Sequence, residues 1–173
     1  MKIHNVAQGS AEWHALRAQH FTASEAPAMM GASKYQTRTE LLTLKKTGIA
    51  PDATPSQQYI FDKGHATEAM ARPLVEVMIG EELYPVVGTE GNLLASMDGA
   101  TMLGETVFEH KLWNESLVAQ VKAEDLAPHY YWQLEQQLLV SGAERVIFVC
   151  SDGTAENFVS MEYRPVAGRA EQL

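Results

Sequence analysis

Cysteine is nearly absent from this chain: Cys150 is the one thiol in 173 residues. An internal disulfide is excluded, and so are structural zinc clusters and iron–sulfur centres, which need several thiolates. Any metal must be held by oxygen or histidine. Long apolar runs are also missing. No stretch approaches the roughly 18 residues needed to cross a bilayer, and the opening MKIHNVAQGS lacks the apolar centre of a signal peptide. The chain is therefore expected in the cytoplasm, with no membrane partner. Basic residues are few, with 13 Lys and Arg against 22 Asp and Glu and a net charge of −9. That balance argues against coating nucleic acid by bulk electrostatics. It leaves room for a local DNA channel, because carboxylates gathered around a cation make an enzyme acidic while the bound metal inverts the local sign. Four cations, Lys34, Arg38, Lys45 and Lys46, fall within one short segment. They read either as a solvated helix face or as a phosphate-tracking patch.

With 46% hydrophobic and 20% charged residues, the composition is that of one globular domain spanning 1–173, large enough to bury a real core. Ser10 is placed to cap a helix through His20, and Thr22 with Glu25 and Thr37 with Glu40 form capping-box patterns for two more. Gly31 and Gly48 stand where left-handed C-terminal caps belong. Gly48 to Ser56, with Pro51 and Pro55, reads as a loop. From Tyr59 to Gly80 the residues Phe61, Met70, Leu74, Val77 and Met78 suggest the apolar side of a longer helix, kinked or interrupted at Pro73. Strands are expected at Leu83–Val87, Asn92–Met102 and Glu105–Trp113, the last two joined by a turn near Gly104. A helix from Pro128 to Gly142 would bury Leu134, Leu138 and Leu139. Arg145–Cys150 reads as a central strand, and Asp152-Gly153 as a two-residue hairpin turn into Asn157–Tyr163. These elements make an α/β or α+β sandwich with a mostly antiparallel sheet.

The most informative local pattern is Asp98 followed, ten residues on, by Glu109-His110-Lys111. On a strand Glu109 and Lys111 point one way and His110 the other, and a turn centred on Leu103-Gly104 sets Asp98 opposite Glu109. Adjacent carboxylates repel unless one is protonated or a cation sits between them, and such oxygen ligands suit Mg²⁺ or Mn²⁺. Lys111 beside them would help deprotonate or orient a water, or stabilise charge on a phosphate. A cross-hairpin salt bridge explains the same three residues. Gly64-x-x-x-Glu68 adds a carboxylate on a helix, with Gly64 allowing close approach of a strand or substrate; an ordinary surface acid is the competing explanation. His65 reads as a satisfied or exposed histidine. Gln133 and Gln137 share a helix face one turn apart, where glutamines are usually solvated. Arg17 and Ser24, the latter in the first turn after Thr22, form a receptor for a terminal phosphate or, equally well, a salt-bridging arginine and a helix filler.

Taken together, Trp13-His-Ala-Leu-Arg17, Thr22-Ala-Ser24-Glu25, Gly31, Gly64-x-x-x-Glu68, Ser96-Met-Asp98-Gly99, Glu109-His-Lys111 and Tyr131-Trp-Gln133-Leu-Glu-Gln136 resemble the lambda-exonuclease or YqaJ-type viral recombinase family of the PD-(D/E)xK superfamily. The resemblance runs over nearly the whole chain. It implies a restriction-endonuclease-like core, a central mixed sheet flanked by helices. It also implies a metal-dependent 5′→3′ exonuclease that digests one strand of linear duplex DNA and leaves a 3′ single strand for a phage annealing protein. Asp98, Glu109 and the backbone carbonyl of His110 would bind Mg²⁺, for which Mn²⁺ substitutes; Glu68 would serve a second ion or its waters, Lys111 would activate the attacking water, and Gln133 would line the site. Arg17, Ser24 and Ser96 would hold the 5′-phosphate. A homotrimeric ring around DNA, encoded by a phage or prophage and working in a bacterial cytoplasm, belongs to the same expectation. Two departures stand out: no arginine closely follows Lys111, and the sequence ends at Leu173, before the family's usual C-terminal helix. An endonuclease with the same core and a catalytically silent DNA-binding module are the alternatives.

Overall fold

A computed structural model of the chain describes residues 1–48 and 54–173. In chain order it contains β1 (Lys2–His4), α1 (Ala11–Ala18), β2 (Phe21–Thr22), a 3-10 turn (Ala23–Glu25) running into α2 (Ala26–Met29), α3 (Arg38–Thr47) and α4 (Pro55–Ile79). There follow β3 (Tyr84–Glu90), β4 (Leu93–Ala100), β5 (Thr106–Leu112), α5 (Glu115–Lys122), α6 (Pro128–Ser141), β6 (Arg145–Ser151) and β7 (Phe158–Tyr163). The sheet order is β1-β3-β4-β5-β6-β7, with β2 added beside β4. Neighbours run antiparallel except β5 with β6 and β2 with β4, which are parallel. The sheet is thus mixed and flanked by helices, as expected.

Local sequence accounts for many of the helix ends. Ser10 Oγ accepts the Trp13 amide at 3.2 Å, Thr37 and Glu40 cap each other reciprocally, and Gly48 closes α3 with φ +69°. Thr22 with Glu25 caps a shorter unit than expected, three residues of 3-10 helix before α2. Of the expected loop at Gly48–Ser56, residues 49–53 lie outside the described residues, while Pro55 and Ser56 already belong to α4.

Two layers of core enclose the sheet. On one side Leu117, Val121, Leu134 and Leu138 of α5 and α6 pack with Val146 and Phe148. On the other, Ala71 and Val75 of α4 pack with Phe108, Ile147 and Val149. That second layer corrects the reading of α4, which buries Thr67, Ala71 and Val75, while Phe61, Met70, Val77 and Met78 are 53%, 51%, 86% and 49% exposed. Small residues allow a helix to lie close on a sheet, so its bulky apolar residues fall on other faces. The helix also runs through Pro73 without interruption. Leu139 is exposed rather than buried. Helix α5, capped by Asn114, has no counterpart among the expected elements. Ser151 pairs with Phe158, so the β6–β7 connection is a six-residue loop rather than a two-residue turn. Asp152 organises it by accepting hydrogen bonds from Thr154 and Asn157.

Gly99 sits where β4 crosses Phe108. A Cβ there would lie 2.9 Å from Leu83 Cβ and 3.4 Å from Phe108 Cδ1. Gly99→Ala is expected to cost about 1–3 kcal/mol through overpacking; urea unfolding checks this, and an unchanged midpoint would show that Leu83 yields freely.

Candidate active site

The hairpin of β4 and β5 builds the centre of the site. Its register, Gly99 with Phe108 and Ala100 with Val107, is the one that sets Asp98 against Glu109. Past Gly99 the backbone ladder stops. Instead of a β4 carbonyl, the His110 amide donates to Asp98 Oδ2 at 2.8 Å. Strand β5 keeps its pairing with β6 as far as Leu112, so β4 is the strand that departs, and a cleft opens between them. In an extended strand a residue's N–H and C=O point to the same edge, which turns the His110 carbonyl toward Asp98. The His110 ring goes to the other face, where Nε2 lies 2.9 Å from Ser151 Oγ. Burial, with Lys111 adding to it, pushes the ring's pKa down to about 4.

Glu109 is 3% exposed, and three donors converge on its carboxylate. Oε1 accepts from Lys111 Nζ at 2.5 Å and from Gln133 Nε2 at 2.6 Å; Oε2 accepts from Gln137 Nε2 at 2.6 Å. Gln133 Oε1 also accepts from Lys111 Nζ, at 3.1 Å. The two glutamines therefore serve the site instead of solvating the helix. Of these, Gln137 was given no site role by the sequence, although its i, i+4 spacing from Gln133 was the available signal.

Charge in the cleft is crowded. Removal from water, then the nearby Glu109 and Glu68, raise the Asp98 pKa well above the usual carboxylate range, against the opposing pull of Lys111. Burial alone would lower the Lys111 pKa, but Glu109 and Asp98 outweigh it and the net shift is upward, so Lys111 is an ammonium. Glu68 on α4 is joined to Arg72 at 2.6 Å, and its pKa is raised, chiefly by burial. Gly64, one turn earlier, faces open space; among the described residues a Cβ there would meet nothing within 4 Å, so none of their strands approaches it.

The terminal-phosphate candidates line the same cleft, whose volume is about 1210 Å³. Arg17 Nη2 donates to Ser24 Oγ at 3.3 Å, and the guanidinium lies 4.4 Å from the centre of the Trp13 ring. Trp13 Nε1 in turn donates to Ser96 Oγ at 2.8 Å. Burial lowers the Arg17 pKa from its ordinary value, with Glu25 acting against that shift. Lys45 is no free phosphate tracker: its ammonium bonds the carbonyls of Arg17 and His20 at 2.8 and 2.7 Å and pairs with Glu25. It fastens α3 to the end of α1.

The donor set fits a hard divalent cation. Asp98 and Glu109 crowd negative charge that a cation would relieve, and the His110 carbonyl turns to the same side. Among the described residues no three His, Cys, Asp or Glu side chains close into a ready-made cage. The adjacent carboxylates of Asp98 and Glu109 suit an ion held by one or two carboxylates, waters and substrate phosphates, as Mg²⁺ commonly is.

The profile of the YqaJ-like viral recombinase domain matches residues 12–144. No curated protein matches the sequence significantly. Among solved structures, the alkaline exonuclease LHK-Exo from Laribacter hongkongensis superposes with a TM-score of 0.76 at 20% identity, over 94% of this chain and 86% of that one. The same exonuclease in complex with dAMP gives a TM-score of 0.76 at 21% identity over the same shares. A phage related exonuclease from Haemophilus somnus 129PT gives 0.64 at 13% identity, over 92% of this chain and 90% of that one. No helix among the described residues is long and apolar enough to cross a membrane.

Proposed function

Since this chain belongs to the YqaJ-like viral recombinase family, we propose that it is a metal-dependent exonuclease acting 5′→3′ on one strand of linear duplex DNA, leaving a 3′ single strand for a phage annealing protein. The observation that carries this reading is the shared cleft: Asp98, Glu109 and Lys111 open onto the same space as Arg17 and Ser24. Hydrolytic groups and an anion receptor in one cleft suit an enzyme that holds a strand end and cuts beside it. The similar LHK-Exo was crystallised with dAMP, the chemical class such a reaction releases.

In this reading Asp98, Glu109 and the His110 carbonyl would hold Mg²⁺ or Mn²⁺, with Glu68 assisting a second ion or its waters. When bound, such an ion would supply Lewis acidity to the reaction. Lys111, kept as an ammonium, orients the attacking water and meets negative charge building on the phosphate oxygens. Gln133 holds Lys111 and Glu109 in register. Water oxygen bonds to phosphorus while the P–O3′ bond breaks, and O3′ of the departing nucleotide takes up a proton. The next nucleotide then carries a fresh 5′-phosphate, so each cut regenerates the group that Arg17, Ser24 and Ser96 are proposed to hold. A homotrimeric ring belongs to the same proposal, and sedimentation equilibrium reads its subunit count.

Digestion with Mg²⁺ of a linear duplex labelled at either end, beside a closed circle, tests the function. Loss of the 5′ label first, with the circle intact, is expected. Cutting of the circle would make the protein an endonuclease, and no hydrolysis would make it a silent DNA-binding module.

The phosphate receptor has its own test. A 5′-hydroxyl duplex should be digested more slowly than a phosphorylated one, since a charged anion is lost from donors placed to meet it. Arg17→Ala should erase that preference by slowing the phosphorylated substrate, on the order of 10-fold for loss of one charge-assisted contact. Equal slowing of both substrates would assign Arg17 to folding or general backbone binding.

A further inference from the structure

One polar group buried behind the cleft is held at an evident cost. Gln137, on α6 between Leu134 and Leu138, is fully buried, and its Oε1 has no hydrogen-bond donor among the described residues. An orphaned buried carbonyl is unfavourable, and an apolar side chain of similar length would avoid it. The amide cannot turn over to find a donor, because its Oε1 would then face the Glu109 carboxylate, where Nε2 now donates at 2.6 Å. The orientation of Gln137 is therefore dictated by Glu109, with the Ser96 carbonyl, to which Nε2 also donates at 3.5 Å, favouring the same turn of the amide.

We propose that Gln137 is a positioning residue that aims the Glu109 carboxylate at the divalent cation. This rests on the functional reading above. Lys111 and Gln133 both bond Oε1 of Glu109, leaving Oε2 to Gln137. With donors on both oxygens, from strand β5 and from successive turns of α6, the plane of the carboxylate is set. A neutral donor on Oε2 fixes direction without cancelling the charge that a cation needs, which a second lysine would do. Groups one layer behind metal ligands commonly tune affinity in this way.

The test is calorimetric titration of Mn²⁺ into the full chain without DNA, alongside turnover on end-labelled duplex and thermal melting. For Gln137→Met, Mn²⁺ affinity should fall about 10- to 100-fold and kcat by a similar factor. KM for DNA should stay close to wild type, while the melting temperature should fall modestly, because Glu109 Oε2 loses its donor even as the orphaned carbonyl leaves. Unchanged Mn²⁺ affinity in folded Gln137→Met overturns the proposal, whether or not its melting point falls. If that variant does not fold, Gln137→Asn, whose amide stops one methylene short, must show the same loss of affinity; wild-type binding by it overturns the proposal equally. A wild-type protein that binds Mn²⁺ without digesting DNA would refute the nuclease reading while calorimetry still decides Gln137. A wild type that binds no Mn²⁺, either alone or with a non-cleavable duplex present to supply its phosphates, refutes both.

Discussion

Asp98→Asn is expected to lower nuclease turnover by at least about 100-fold while leaving a protein more stable than wild type at neutral pH in ion-free buffer. Turnover falls because an amide replaces an anionic ligand. Stability rises because Asp98 ionises reluctantly in the fold, its pKa raised by burial and then by Glu109 and Glu68. A carboxylate with a raised folded-state pKa favours the fold below its unfolded value of about 3.9 and loses that contribution as pH rises to the folded value. The advantage of Asp98→Asn should accordingly grow above pH ~4 and level off once the wild-type group is ionised. The carbonyl oxygen of the substituted amide can still accept the His110 N–H, which an alanine side chain could not. Glu109→Gln should match it in lost turnover but not in stability. Its carboxylate satisfies three donors, so an amide N–H₂ there faces another donor and costs about 1–3 kcal/mol. Melting curves with and without Mg²⁺ separate the two, and near-normal digestion by folded Asp98→Asn would remove Asp98 from the metal site.

Lys111→Met is expected to reduce single-turnover cleavage by about 100- to 1,000-fold, the usual loss when a donor aimed at developing charge is removed. Methionine keeps the apolar stem and deletes only the ammonium, so packing against the cleft wall survives. DNA affinity measured by fluorescence anisotropy in EDTA should stay within about twofold, because the Lys111 ammonium is already paired with Glu109 and adds little free charge for the backbone. A cleavage rate within about threefold of wild type, far short of the loss a catalytic donor causes, would reduce Lys111 to a counter-ion for Glu109.

Features set by neighbours in the chain are legible in the sequence itself. Capping boxes at Thr22 and Thr37 and left-handed glycines at 31 and 48 depend on contacts within four residues, and they mark real boundaries. The β4–β5 register follows from its turn alone, which is why the meeting of Asp98 with Glu109 and the turning away of His110 could be foreseen. Where local signal failed, a distant surface had the deciding vote. The bulky residues of α4 mark a hydrophobic helix, but close approach to β5 and β6 selects its small face, Thr67, Ala71 and Val75. Helix α5 is short, and its apolar residues Leu117, Val118 and Val121 gain their meaning from the core they enter beside β6 and β7. The bonds of Gln133 and Gln137 to Glu109 span 24 and 28 residues. Spacing puts those glutamines on one face of α6; only packing of α6 against the sheet decides that the face meets a carboxylate and not water.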